Sequence, residues 1–192
     1  MFHTRALTRE TWGPYQLLIT RNNGVWGGCW CMGFHPEGTG AHKTAEQNRA
    51  EKQARVGAGT AHASLVFEDE TCVGWAQFGN VDEVPKIKNR KAYDAGLVSS
   101  GLPDWRITCF YVEPSARGRG VADIALKGAI DLIATAGGGM VEGYPDAVDK
   151  KTSSSFLFHG TASSFARMGF QRDRAIGKTR WVMRRQVGSA LA

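Results

Sequence analysis

Apolar positions recur along this chain with two different periods, and the switches between them outline its elements. Over residues 8–21, Trp12, Tyr15, Leu18 and Ile19 fall at helical spacing behind Thr8, and Asn22, Asn23 and Gly24 end the run. Residues 25–35, rich in aromatic and sulfur side chains, read as a strand, and 38–42 as a loop. Residues 44–56 carry a polar helix with few apolar positions, which places it on the surface. In 64–79 two short apolar runs flank the acidic turn Glu68-Asp69-Glu70, the signature of a hairpin. Residues 81–101 are polar and irregular, a long loop with a short helical piece.

The second half is more regular. Residues 107–112 form a strand, and 121–136 the best helix of the chain, with Val121, Ile124, Ala125, Gly128, Leu132, Ile133 and Ala136 on one stripe. Gly137, Gly138 and Gly139 stop it. A strand over 140–144 ends at Pro145, a polar loop covers 146–155, and a short helix runs over 161–168. Two strands around Gly177 fill 170–187. Helices and strands mixed in this order predict an α/β (α+β) fold, a mixed sheet with helices on its faces. With neither repeat nor low-complexity linker, one domain over residues 1–192 is expected.

Composition changes this picture little. With 42% hydrophobic residues, 192 residues suffice for one sizeable core. No run approaches the roughly 18 consecutive apolar residues of a membrane helix, and residues 1–10 lack the apolar stretch of a secretory signal. A cytoplasmic protein without a membrane partner is expected. The net charge of +6 is weak evidence for nucleic acid, because stacking aromatics do not interleave with the basic positions around Lys86–Lys91. The four cysteines read as reduced thiols. On a strand, Cys29, Cys31 and His35 would share a face, but a fourth zinc ligand is missing, so no metal is expected.

The run 107–122, ITCFYVEPSARGRGVA, carries the chemistry. A strand ends at Val112, the chain turns, and an amphipathic helix opens at Gly120. Gly118 and Gly120 remove side chains where a ligand would approach the backbone, and the first N–H groups of a helix lack intrahelical partners at the positive end of its dipole. Arg117 and Arg119 add fixed charge, so the segment reads as a cradle for a diphosphate. The Lys-Ser/Thr ending of a P-loop and the dinucleotide fingerprint are both absent, which disfavours nucleotide hydrolysis and hydride transfer.

Val112-x-Pro114-x-x-Arg117-Gly118-x-Gly120-Val121-Ala122 resembles the acetyl-CoA signature of the GNAT family of N-acetyltransferases, Arg/Gln-x-x-Gly-x-Gly/Ala between a strand and a helix. The hairpin over 64–79 and ARMGF at 166–170 resemble the family's second and third strands and the end of its fourth helix. The resemblance implies a mostly antiparallel sheet whose fourth and fifth strands splay to admit pantetheine. Main-chain groups of Phe110, Tyr111 and Val112 would line that wedge, those of Phe110 and Val112 pairing with the pantetheine amides and the thioester carbonyl. Arg117, Gly118, Arg119, Gly120, Val121 and Ala122 would hold the pyrophosphate.

It further implies direct acyl transfer from acetyl-CoA, as co-substrate, to an amine of a small molecule or peptide, by a monomer or homodimer. Glu142, at the end of the fifth strand, would be the general base, with Glu113 as the alternative. Many members carry a tyrosine where this chain has Phe165, which leaves Ser163, Ser164, His159 or solvent to support the leaving thiolate. That departure keeps open a second reading, a non-catalytic acyl-CoA-binding sensor or interaction module.

Overall fold

The computed structural model describes residues 1–40, 42–97, 101–147 and 158–190. Its strands are β1 (Phe2–Ala6), β2 (His62–Glu68), β3 (Thr71–Asn80), β4 (Trp105–Val112), β5 (Gly139–Gly143), β6 (Gln171–Ala175) and β7 (Trp181–Val187). Its helices are α1 (Trp12–Arg21), α2 (Ala45–Ala58), α3 (Arg90–Ala95), α4 (Val121–Thr135) and α5 (Ala162–Arg167). The strands form one sheet in the order β1-β2-β3-β4-β5-β7-β6, antiparallel except where β4 runs parallel to β5. The mixed, mostly antiparallel α/β architecture is the one the sequence predicts.

Strands β2, β3 and β4 are buried along nearly their whole length because both faces are covered. Leu65, Phe67, Cys72, Trp75, Cys109 and Tyr111 join α1 and the 25–34 segment in one core. Val66, Val73, Ala76, Ile107 and Phe110 join α4 and α5 in the other. Helix α4 seats Val121, Ala125, Leu126, Ala129, Ile130 and Ile133 on the sheet. Each large aliphatic side chain so buried contributes about 1.5–3 kcal/mol.

Three expectations are corrected. Residues 25–35 are not a strand. Val25, Trp26, Trp30 and Cys31 all sit at positive φ (42°, 47°, 48° and 55°), and the segment winds through tight turns. Tertiary anchors impose this conformation: Asn48 Nδ2 donates to Gly28 C=O (3.0 Å), Gln77 Nε2 to Cys31 C=O (3.2 Å), and Trp30 stacks on Trp12. Cys29, Cys31 and His35 therefore share no strand face, and Cys31 Sγ lies 3.1 Å from Cys109 Sγ instead.

The polar helix α2 is not simply a surface element. Asn48, Lys52 and Val56 are buried at a spacing of four and hold the 28–35 segment against the sheet. Residues 2–6, unassigned by pattern, form the edge strand β1. Of the loop predicted over 146–155, all but Asp146 and Ala147 lies outside the described residues, as do 98–100 of the loop predicted over 81–101.

Candidate active site

The site begins where β4 and β5 part. They pair from Trp105 with Val141 to Ile107 with Gly143; β5 then stops while β4 runs on to Val112. Pro145, which has no N–H to give a ladder, follows two residues later. Helix α5, capped by Thr161 Oγ1 accepting from Ser164 N–H (3.2 Å), sets Phe165 against Gly143 and Phe110. A side chain at 143 would collide with the Phe165 ring, so the glycine permits α5 to sit there.

Between the free end of β4, the start of α4, and α5 lies a cavity of about 400 Å³. Eight of the nine residues expected to bind the coenzyme line it: Phe110, Tyr111, Val112, Arg117, Gly118, Gly120, Val121 and Ala122. Arg119 does not. Its guanidinium pairs with Glu68 of β2 and lies over the Phe2 ring, 4.7 Å from its centroid, turned away from the cavity. Sequence reasoning missed Asp123, Leu126, Thr161 and Arg167, which line it together with Trp26.

At one end the cavity is cationic. Gly118 and Gly120 take φ of +74° and +79°, and a Cβ on either would meet nothing within 4 Å. Among the described residues, no side chain caps the N–H groups that open α4. Arg117 is fixed by Nε donating to Val112 C=O (3.0 Å), while Arg167 is neutralised by Asp123 (2.6 Å). At the other end the walls are apolar, formed by Phe110, Leu126 and Phe165 under Trp26, whose ring meets Tyr111 edge-on at 5.7 Å.

The β4 edge is less open than expected. Phe110 N–H donates to Phe158 C=O (2.7 Å), so that residues 158–160 already occupy the first part of the wedge. Phe110 N–H is therefore not free for a thioester carbonyl here. Val112, two residues further along the same edge, still faces the cavity.

Glu142 does not stand at the mouth of the wedge. It is fully buried and lines none of the cavity. Its Oε2 accepts from Tyr93 Oη (2.8 Å) and Tyr144 Oη (3.0 Å), and Arg184 Nε lies 3.4 Å from its Oε1. The physical reason is its register. Opposite Arg106 and one pair before the splay begins, its side chain enters a buried polar cluster. Glu113 is held by Arg21 and by Ser115 Oγ (3.2 Å).

Of the remaining candidates, Ser164 lines the cavity and shares its hydroxyl with Thr161 (3.0 Å). Ser163 faces the other side of α5, and His159 is buried in the wedge. Among the described residues, no group of three or more His, Cys, Asp or Glu side chains converges to hold a metal ion.

Comparison with known proteins agrees with this geometry. The model of the acetyltransferase (GNAT) family matches residues 18–143. No curated protein matches the chain. Among solved structures, a GNAT-family acetyltransferase from Desulfovibrio desulfuricans is 16% identical, with a TM-score of 0.56 over 98% of this chain and 100% of its own. The yncA protein of Salmonella typhimurium, solved with its cofactor acetyl-CoA, is 14% identical, with a TM-score of 0.54 over 100% and 96%. An N-acetyltransferase from Staphylococcus aureus Mu50 is 15% identical, with a TM-score of 0.53 over 97% and 99%. At these identities the likeness is one of fold, and with a family match spanning β2 to β5 and the helix that opens at Gly120, the chain belongs to the GNAT acetyltransferase family.

Proposed function

We propose that this protein transfers the acetyl group of acetyl-CoA directly to an amine of a small molecule or peptide. The observation that carries the reading is the cavity at the free end of β4, cationic beside Gly118 and Gly120 and apolar beneath Trp26. N–H groups of the first turn of α4 and the Arg117 guanidinium suit a diphosphate. The Val112 main chain suits pantetheine amides, and Phe110, Leu126 and Phe165 suit its methylenes. Holding thioester and amine in one wedge converts an encounter of two molecules into an intramolecular step, worth up to about 7–11 kcal/mol of barrier.

One observation favours a second reading, an acyl-CoA-binding module without turnover. Phe165 is fully buried where many relatives carry a proton-donating tyrosine. A panel of amines incubated with acetyl-CoA separates the two. On the leading reading at least one amine raises thiol release above hydrolysis and appears acetylated by mass spectrometry. Saturable acetyl-CoA binding with no acetylated product across aliphatic, aromatic and peptide amines supports the second instead.

A further inference from the structure

Among the described residues that line the cavity, Trp26 alone comes from the 25–34 segment. Its backbone is left-handed, with φ of 47° and ψ of 48°, in a run where Asn23, Gly24, Val25, Gly27 and Gly28 also take positive φ. A residue with a side chain adopts that conformation only where its surroundings hold it there. Here Gly28 N–H donates to Gly24 C=O (2.9 Å), and Gly28 C=O accepts from Asn48 Nδ2 (3.0 Å). Trp30, also left-handed, is explained by packing, since it is 4% exposed and stacks on Trp12. Trp26 is not. It is 40% exposed, and its ring meets Tyr111 and Phe158 in edge-to-face contacts, each 5.7 Å between centroids, that leave much of the indole uncovered.

The register of β4 shows which side of the sheet this is. Successive side chains point to opposite faces, so Phe110 lies with α4 and α5 while Tyr111 lies with α1 and the 25–34 segment. Both line the cavity, which therefore wraps around the free edge of β4. The groups suited to the coenzyme stand at the start of α4 and along α5. Trp26 stands with Tyr111 on the other face, against Phe158, whose carbonyl holds the β4 edge at Phe110. A second substrate that approaches from that face meets the indole. Charge there does not suit a cation. Asp123 lies at the far end of the cavity against Arg167 (2.6 Å), and the charges acting on Tyr111 are Arg117, Arg21 and Glu113, a net positive set. A flat neutral ring, by contrast, gains from offset or edge-on contact with indole.

We propose that Trp26 is the specificity-determining residue of the acceptor site, and that the acceptor it selects is a primary amine carrying an aromatic ring. The ring packs on the uncovered part of the indole and the nitrogen turns toward the free edge of β4. This assignment rests on the acetyl-CoA reading of the cavity and narrows its acceptor from amines in general to aryl-bearing ones. It also gives the left-handed turns a purpose: they hold an indole out of the core, at the one end of the cavity that the coenzyme's charged groups do not claim.

The test measures acetyl transfer to phenylethylamine, to cyclohexylethylamine, whose ring is of similar size but not flat, and to an aliphatic diamine. The wild type favours phenylethylamine over both by at least about threefold in kcat/KM, the scale of a ring–ring contact beyond simple burial. Trp26→Ala loses about tenfold for phenylethylamine, chiefly in KM, and with it the preference over the saturated ring, while Trp26→Phe keeps that preference. The acetyl-CoA dissociation constant, measured by calorimetry, stays within about threefold in both variants. A wild type that does not favour the aromatic amine, or an alanine variant that keeps the preference or weakens all three amines alike, overturns the proposal. If the alanine variant does not fold, the ranking of the three amines by the wild type and by Trp26→Phe decides. A wild type that binds no acetyl-CoA overturns the coenzyme reading beneath, and one that binds it but acetylates no amine overturns the transfer reading. Both are distinguishable, because they are seen before any two amines are compared.

Discussion

Gly120 ends the turn after β4 at φ +79°, and a Cβ there would project into empty space beside the first turn of α4. Any other L-residue costs roughly 1–2 kcal/mol in that conformation, with no collision added. Gly120→Ala and Gly120→Glu should therefore both fold, a little less stably than the wild type. Only the glutamate places bulk and negative charge where a diphosphate must lie. The expected outcome is that acetyl-CoA raises the melting temperature of the alanine variant but not of the glutamate variant.

Glu142 lies outside the cavity. Its carboxylate is the buried acceptor shared by Tyr93 and Tyr144, close to the guanidinium of Arg106, which is 2% exposed. Removing one partner of a buried charged set typically costs about 3–5 kcal/mol. Glu142→Gln, which keeps the shape and one carbonyl acceptor, should fall at the low end of that range. A melting curve should show the loss, with acetyl-CoA affinity unchanged in the folded protein.

Helix α2 shows how an element can conceal its function from its own sequence. Thr44 and Gln47 form a reciprocal cap, and the helix ends at Gly59 in a left-handed conformation, so its existence is written locally. Its inner face is not, because two of the three buried positions, Asn48 and Lys52, are polar. Only the spacing of four with Val56 hints at a stripe. Likewise the alternation of Cys29, Cys31 and the aromatics around them matches a strand, while the glycines at 24, 27 and 28 were the better guide to a chain of left-handed turns.

What was legible in the chain is what repeats or turns locally: the hairpin β2–β3, the stripe of α4, the glycines of the cradle. The burial of Glu142, the outward turn of Arg119 and the seating of Phe158 in the wedge depend on partners distant in sequence, and no local pattern announces them.

The buried Lys52 makes a prediction of its own. Burial lowers its pKa to about 8, below the roughly 10.4 of an unfolded chain. Below pH 8 both states are protonated and the folded state bears the full cost. Between the two values the unfolded state binds more protons, so this group's contribution to stability rises with pH.

The thiols act in the opposite sense. A hydrogen bond between Cys31 and Cys29 raises the Cys29 pKa, and burial raises those of Cys31 and Cys72. Comparison with Lys52→Met removes their contribution. In urea unfolding, the stability of the Met variant relative to wild type should fall by about 2 kcal/mol between about pH 7.5 and about pH 9.5. A difference that does not change with pH would mean that the lysine is not buried as a charged group.

At the scale of the molecule, one topological fact organises the rest. Among the described residues the sheet contains a single parallel pair, β4 with β5, and that pair comes apart after three residues on each strand. Parallel neighbours need a crossover, and here the crossover is the turn and helix α4, so the chain passes from the free end of β4 directly into the start of a helix. The open strand edge and the uncapped N–H groups are thus consecutive in sequence and adjacent in space. A ligand with an amide-bearing arm and a diphosphate matches both.

Calorimetric titration of acetyl-CoA into the wild-type protein, with Arg117→Ala and Gly120→Glu beside it, tests this most directly. Saturable one-site binding to the wild type is expected, with weaker binding to the Arg117 variant and none to the glutamate variant. Wild-type protein that binds no acetyl-CoA at millimolar concentration, or a glutamate variant that binds it as the wild type does, would overturn the coenzyme assignment of the cavity.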